Sequence, residues 1–124
     1  VVANVKALIG KLPILGISTG HQVLAVTLGA KLIKMKLGHH GVNYPICQAG
    51  SYVGAITVQN HSYVVDLASL KKVKEIKITG VHLNDHTVEE IESKKLKLIG
   101  TQYIPTSPGF DEVNAIFKRF INIL

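Results

Sequence analysis

The chain has 124 residues, 47% of them hydrophobic, which is enough to bury one core and predicts one domain or part of one. No apolar stretch reaches the roughly 20 residues of a membrane helix, and no secretory signal is visible, so we expect no membrane partner. The fourteen basic residues give a formal net charge of +6. They include one arginine and are scattered, which favours a solvated surface over a nucleic-acid site.

Apolar periodicity and glycine positions divide the chain into helices and strands. Gly29 is predicted to cap a helix, and Asn84-Asp85-His86 to turn a hairpin. In chain order the predicted elements are a helix over Val1 to Ile9, a strand over Pro13 to Ile17, a helix after Ser18 to about Leu28, a strand over Lys31 to Leu37, an irregular loop over Gly38 to Ala49, a strand over Val53 to Gln59, a polar corner at Asn60-His61-Ser62, and strands over Glu75 to Leu83, Thr87 to Ile91 and Leu96 to Ile104.

A last helix is predicted to begin near Ser107, as N-cap, with Pro108 beside it. Its apolar face comprises Phe110, Val113, Phe117, Phe120 and Leu124. Strands flanked by helices at both ends predict an α/β fold with a mixed sheet.

Cys47 is the only cysteine, so no disulfide can form within the chain. That usage fits a reducing compartment and predicts a cytoplasmic protein. We interpret the thiol as buried or idle, because it lies in a predicted loop without a partner.

The stretch from Gly16 to Gln22 reads as strand, sharp turn and helix, with Ser18 at the apex. Glycines two residues either side let the backbone adopt strained angles and let the strand and helix approach closely. The apex then lies beside the free N–H groups of the helix, which can stabilise an oxyanion. Such a turn suits a nucleophile.

Read alone, the motif matches the G-x-S-x-G elbow of serine hydrolases. That hypothesis needs a downstream acid and histidine, which Asp66 or Asp85 with His86 would supply. Unless a large N-terminal piece was removed, however, the chain leaves no room for the sheet that precedes the elbow in those enzymes. A serine hydrolase therefore stays an alternative.

A wider series of motifs resembles one family. It runs G-I-S-T-G-H-Q, K-M-K-L-G-H-H-G-V-N-Y-P, Q-N-H-S-Y-V-V-D, L-N-D-x-T-V-E and Q-Y-I-P-T-S-P-G, from about Leu12 to the C-terminal helix. The chain is similar to the C-terminal, glutaminase-type half of the small subunit of carbamoyl-phosphate synthetase, which is a class I (triad) glutamine amidotransferase. The resemblance implies a flavodoxin-like mixed sheet flanked by helices, with the N-terminal strands and a Gly-rich oxyanion loop missing.

The family uses an elbow cysteine as nucleophile, a histidine as base and a glutamate that orients the histidine. The resemblance maps these roles onto Ser18, Ile104 and Thr106, so all three positions depart from the pattern. Isoleucine can neither accept nor donate a proton. The resemblance therefore implies a degenerate triad, unable to hydrolyse glutamine.

The glutamine-binding positions match the family better. The resemblance assigns them to five residues beside the elbow: Thr19, Gln22, Asn60, Ser62 and Tyr63. Thr19 stands where leucine is usual. Ser62 replaces a usual glycine, so a backbone contact there is expected to be strained or lost.

The ammonia-dependent, urea-cycle branch of these synthetases also carries serine in a G-I-S-T-G turn, which would imply a mitochondrial location. The resemblance implies no cofactor, L-glutamine as a ligand, and the large (synthetase) chain as the partner. Pyrimidine biosynthesis, arginine biosynthesis and the urea cycle all stay open, as does a degenerate remnant without activity.

The remaining histidines are interpreted as structural. His39 and His40 have no carboxylate or cysteine at ligand spacing, so we predict no metal site. His61 lies beside the candidate pocket, where a hydrogen-bonded structural role is favoured over a base. The resemblance does not place His82 or His86 near the elbow.

Overall fold

The computed structural model describes residues 1–48, 54–107, 109 and 111–124. Helices and strands alternate over the first four elements, whereas most of the later strands pair as antiparallel neighbours. Within the described residues the elements are α1 Val2–Leu8, β1 Ile14–Ile17, α2 Thr19–Thr27, β2 Leu32–Gln48, β3 Gly54–Val65, α3 Leu67–Leu70, β4 Lys77–His82, β5 Val88–Ser93, β6 Leu98–Thr101 and α4 Ala115–Asn122.

The six described strands form one mixed sheet in the order β1-β6-β5-β4-β2-β3. β1 and β6 are parallel and the other neighbours antiparallel, which confirms the predicted α/β class with a mixed sheet. Because β1 and β6 run in the same direction, their carboxyl ends meet at one edge of the sheet. The turn with Ser18 leaves β1 at that edge.

Apolar residues from several elements form the core that holds this edge in place. Leu24 on α2 is buried beneath the elbow. One buried apolar cluster consists of Ala25, Ala30, Val65, Leu70, Val88 and Ile91. Burial of one Val, Leu or Ile side chain contributes about 2 kcal/mol.

The predicted early elements are confirmed within a residue or two at their ends. Gly29 has φ +105° and follows α2, as expected for a C-terminal cap. The hairpin of β4 and β5 turns at residues 83–85, close to the predicted turn. The four-residue helix α3, whose N-cap Asp66 accepts a hydrogen bond from the Ser69 amide, was not predicted.

The prediction of an irregular loop over Gly38 to Ala49 was wrong. β2 continues through this stretch to Gln48, and Ala49 lies outside the described residues. The predicted polar corner at Asn60-His61-Ser62 was wrong as well, because β3 continues to Val65. Register shifts between Lys34 and His39 and between Gly41 and Tyr44 accommodate the irregular residues without ending the strand.

The last helix begins later than predicted. Asn114, rather than Ser107, is the N-cap of α4, and its side chain accepts a hydrogen bond from the Ile116 amide at 3.1 Å. Ile116 is the buried residue of α4, whereas Val113 and Leu124 are exposed. Pro108 and Phe110 lie outside the described residues.

Among the described residues, no helix combines the length and the apolar character needed to cross a bilayer.

Candidate active site

The turn between β1 and α2 holds Ser18 in an uncommon backbone conformation. Its φ is 54° and its ψ −109°, in the left-handed half of φ space that non-glycine residues avoid. The amide of Ser18 donates to the Thr101 carbonyl at 2.7 Å, and the Ser18 carbonyl accepts from the Gln22 amide at 3.2 Å. These two bonds fix the strained turn between β6 and α2, with the hydroxyl at the apex. The predicted elbow is present.

Gly16 is required by the close approach of β1 and α2. A Cβ atom on Gly16 would lie 2.6 Å from Leu24 Cδ1 and 2.7 Å from the Gly20 carbonyl carbon and oxygen. The second glycine of the motif is different, since a Cβ atom on Gly20 would meet nothing within 4 Å. The tight elbow therefore depends on one of its two glycines.

The other two triad positions lie past the end of β6. Thr101 ends this strand and pairs with Ile17, so the chain leaves β6 on the same edge as the elbow. The Ile104 amide donates to the Val58 carbonyl at 2.8 Å, which anchors Ile104 against β3. Thr106 is exposed, and its carbonyl accepts from the Asn114 side chain. A hydrocarbon side chain thus occupies the expected base position.

Within the described residues, no histidine ring is hydrogen-bonded to Ser18. Three histidines have both ring nitrogens hydrogen-bonded to other groups: His39, His40 and His61. Neither ring nitrogen of buried His21 has a side-chain partner, and burial lowers the pKa of His21 to about 4. Among the described residues, no hydrogen bond joins an imidazole to the Ser18 hydroxyl.

Gln22 connects α2 to two other parts of the candidate site. Its Nε2 donates to the Tyr63 carbonyl at 2.9 Å and to Gln102 Oε1 at 3.0 Å. The structure thus brings together Gln22 and Tyr63, two of the predicted glutamine-binding residues. Gln102, which was not predicted to be part of the site, is fully buried. Thr19 is exposed on the first turn of α2.

Asn60 and Ser62 are held by a histidine that was interpreted as structural. His40 Nδ1 lies 2.6 Å from Asn60 Oδ1, and His40 Nε2 lies 3.2 Å from Ser62 Oγ. Ser62 is followed by Tyr63, whose carbonyl binds Gln22, so this cluster adjoins the candidate glutamine site.

Behind this cluster lies a buried polar network that spacing alone did not reveal. Gln59 Oε1 lies 2.9 Å from His39 Nδ1 and 2.8 Å from His61 Nε2, and His39 Nε2 lies 2.7 Å from Asp85 Oδ2. Burial lowers the pKa of His61 to about 4 and raises that of Glu89 to about 8. The sequence signal was the alternation of polar residues along β3, which was interpreted as a corner.

Carboxylates do lie beside His39 in space, contrary to the expectation from sequence spacing. Two groups of three bring their ligand atoms within 4.8 Å of one another: His39, His82 and Asp85, and His39, His61 and Glu89. In the first group, the rings of His39 and His82 stack at 4.2 Å with 21° between planes, so their lone pairs run nearly parallel instead of converging. In the second group, Gln59 Oε1 is within hydrogen-bond distance of a ring nitrogen of His39 and of His61. Hydrogen bonds occupy the ring nitrogens of His39 and His61, whereas His82 Nε2 and both carboxylate oxygens of Glu89 have no hydrogen-bond partner among the described residues.

The sequence matches one protein family over nearly its whole length. The family model described as Glutamine amidotransferase class-I matches residues 1–123. The chain is 41% identical over 124 residues to a chloroplastic carbamoyl phosphate synthase small chain from Oryza sativa, covering 99% of this chain and 27% of that relative. It is 40% identical over 121 residues to the pyrimidine-specific small chain from Bacillus subtilis, covering 97% and 32%. The chain thus spans about a third of the length of these curated relatives.

Solved structures with the same fold were also found. A putative GMP synthase protein from Thermoplasma acidophilum superposes with a TM-score of 0.73 at 21% identity, covering 98% of this chain and 63% of that one. A glutamine amidotransferase from Thermotoga maritima gives a TM-score of 0.67 at 20% identity, covering 83% and 45%. These likenesses show the class I amidotransferase fold.

Proposed function

Because the chain belongs to the class I glutamine amidotransferase family, we propose that residues 1–124 form the C-terminal part of a glutaminase-type domain that binds glutamine without hydrolysing it. The domain acts as a structural or regulatory partner of an ammonia-using carbamoyl-phosphate synthetase. The single observation that carries the proposal is a nucleophile turn without a base.

The chemistry of the elbow supports the loss of hydrolysis. Attack on a carboxamide requires that the nucleophile lose its proton, and an alcohol without a base keeps its proton at neutral pH. Ser18 is the nucleophile position, and Ile104 stands where the histidine is expected. Without that imidazole, an orienting acid at the Thr106 position would have nothing to orient. General-base assistance typically supplies about a hundredfold to ten-thousandfold in rate, so its absence is decisive for an unactivated amide.

The candidate binding site supports a retained affinity for glutamine. Gln22, Asn60, Ser62 and Tyr63 are our proposed contacts, with Thr19 at the start of α2. The Gln22 side chain is fixed by two hydrogen bonds before any ligand arrives, which lowers the entropy lost on binding.

The proposed partner follows from the relatives, which are named as small chains of carbamoyl phosphate synthase. A small chain implies a large one, so the large synthetase chain is the partner to test. A stable complex on size-exclusion chromatography would support a structural or regulatory role. Failure to form one would favour a degenerate remnant.

The alternative, a serine hydrolase built on Ser18, is less well supported. Of its two candidate acids, Asp66 caps α3 through the Ser69 amide, and Asp85 binds His39 and the Thr87 hydroxyl. Neither acid is free to orient His86 toward the elbow.

Titration calorimetry with L-glutamine tests the binding half of the proposal. The wild-type chain is expected to bind, and Gln22→Ala to weaken binding at least tenfold, because two side-chain hydrogen bonds that shape the site are lost. Gln48→Ala, at an exposed glutamine at the end of β2, is the matched control and should bind as the wild type does. Absence of binding heat from a folded wild-type chain would contradict the proposal.

A further inference from the structure

A second serine of this chain has the proton acceptor that Ser18 lacks. Ser62 Oγ lies 3.2 Å from His40 Nε2, and His40 Nδ1 lies 2.6 Å from Asn60 Oδ1. Serine, histidine and an orienting side chain are therefore connected in one series of hydrogen bonds. This is the connectivity of Ser-His-Asp and Cys-His-Asn triads, which are recognised by geometry and not by sequence position.

The amide oxygen of Asn60 determines the protonation of the ring. An amide oxygen only accepts hydrogen bonds, so the His40 tautomer that fits this contact carries its hydrogen on Nδ1. In the neutral ring, Nε2 then keeps its lone pair and faces the hydroxyl of Ser62. That tautomer is the one that can remove a proton from serine.

The strands hold the three residues in place. His40 on β2 pairs directly with Asn60 on β3, and Ser62 lies two residues further along, on the same face as Asn60. The ring of His40 lies over Gly38, where a Cβ atom would come within 2.5 Å of Nε2. The His40 amide donates to the Tyr44 phenol oxygen at 3.0 Å, which further fixes the backbone at the register shift.

We propose that Ser62, His40 and Asn60 form a nucleophilic triad that is separate from the elbow and reacts with small, activated carboxylic esters. His40 and Asn60 are exposed and Ser62 is partly exposed, so a small ester can reach the hydroxyl from solvent. His40 is the catalytic base, and Asn60 is a positioning residue that fixes the ring tautomer. Activated esters are the fitting class because their leaving group needs little help to depart.

The reaction proceeds in two balanced steps. Ser62 Oγ forms a bond to the carbonyl carbon, His40 Nε2 takes the serine proton, and the bond to the alcohol oxygen breaks as His40 returns that proton to the departing alcohol. Water then attacks the acyl-serine, His40 takes a proton from the water, and the carboxylic acid leaves as Ser62 regains its proton. Water is the only co-reactant.

A serine-directed fluorophosphonate probe tests the proposal on the intact chain. The probe bonds its phosphorus to the serine oxygen and expels fluoride, while the serine proton passes to the base. Trypsin separates the two serines, because Lys31, Lys34 and Lys36 lie between Ser18 and Ser62. Mass spectrometry is expected to find the probe on the peptide that begins at Leu37 and to assign it by fragmentation to Ser62.

Variants distinguish a working triad from mere exposure of a serine. Ser62→Ala should abolish labelling, and His40→Ala should slow it about a hundredfold, as expected for loss of a general base. Asn60→Ala should slow labelling about tenfold and Asn60→Asp should restore it, because a carboxylate also accepts the Nδ1 hydrogen. The control is Ser107→Ala, since the exposed Ser107 hydroxyl donates to backbone carbonyls, and its loss should change nothing.

Circular dichroism and thermal melting should show that each variant is folded. Labelling at Ser18 in place of Ser62, the absence of labelling, or labelling of Ser62 at an unchanged rate in folded His40→Ala would each overturn the proposal. Asn60 and Ser62 are also proposed glutamine contacts, but labelling by the probe does not require glutamine, so a failure of labelling would not change the calorimetric result for glutamine binding.

Discussion

The two serines near the candidate site differ in what surrounds them. Ser18 has the backbone of a nucleophile, with φ 54° at the start of α2, but no imidazole is hydrogen-bonded to it among the described residues. Ser62 lies in ordinary strand backbone and has an imidazole at 3.2 Å. The strained backbone and the contact with an imidazole thus occur at two different serines. A sharp turn alone does not make a nucleophile, because reactivity also requires an acceptor for the proton.

The interiors behind the two serines differ in the same way. Behind the elbow, Gly16, Leu24 and the α2 backbone are packed so closely that no side chain fits. Behind Ser62, the strands bury a polar network of His39, Gln59 and His61. The first region depends on close packing and the second on hydrogen bonds, so different substitutions should break them.

Gly16→Ala should break the elbow with the largest effect. The added methyl group would overlap the Gly20 backbone, which cannot move without shifting α2, so we expect a loss of about 3 kcal/mol in the free energy of unfolding. Gly20→Ala is the matched control. It meets open space inside a helix and should raise stability by up to about 1 kcal/mol. Urea unfolding measures both, and equal effects of the two variants would contradict the packing account.

Glu89→Gln should remove a pH dependence of stability that comes from the buried polar region. Burial raises the pKa of Glu89 to about 8. The contribution of Glu89 to the free energy of unfolding is therefore greatest below about pH 4.5, and it is lost as the pH rises from there to 8. Buried His21 and His61 have pKa values lowered to about 4, so they affect stability in a more acidic range. Through these two groups, stability falls as the pH drops from 6.5 to 4. Of these three groups, Glu89 is the one that makes stability depend on pH between 6.5 and 8.

The wild-type chain should therefore lose roughly 1 to 2 kcal/mol between pH 6.5 and 8, at about 1.4 kcal/mol for each pKa unit. Glu89→Gln should stay level over this range, because the amide resembles the neutral acid and does not ionise. Urea unfolding at several pH values checks this. A wild-type stability that stays level over the same interval would show that Glu89 is already ionised in the folded protein.

Ser18→Gly should have the smallest effect on the free energy of unfolding, and it should raise stability where Gly16→Ala lowers it. Glycine adopts positive φ without the steric penalty of a side chain, so relief of the strained turn should raise stability by about 1 kcal/mol. Thr19→Gly, one residue later in ordinary helical backbone, should instead lower stability by about 0.3 kcal/mol. Thermal unfolding compares the pair, and destabilisation by Ser18→Gly would mean that the turn is not strained.

The sequence predicted the elbow well because its evidence is local. Gly16 and Ser18 lie on one short segment, and the apolar runs on either side identify a strand and a helix. The region around Ser62 was predicted poorly because its organisation comes from pairing across strands. Glycines and histidines after Gly38 resemble a loop, and the hydrogen bonds that keep them in β2 come from β3, some 20 residues away.

The same reason explains the missed side-chain partners. His40 and Asn60 are separated by 20 residues, and His39 and Asp85 by 46. No spacing rule connects such residues before the register of the sheet is known. The start of α4 was misplaced for a different reason, because Ser107 and Asn114 are both suitable caps and local preference alone does not choose between them.

The most direct test of the central claim, that the elbow serine lacks a base, is the release of glutamate from L-glutamine by the purified chain and by its Ser18→Ala variant, each on its own and with the large synthetase chain. The account predicts no glutamate above the uncatalysed background and no difference between the two proteins. Glutamate release by the wild-type chain that disappears in folded Ser18→Ala would contradict it.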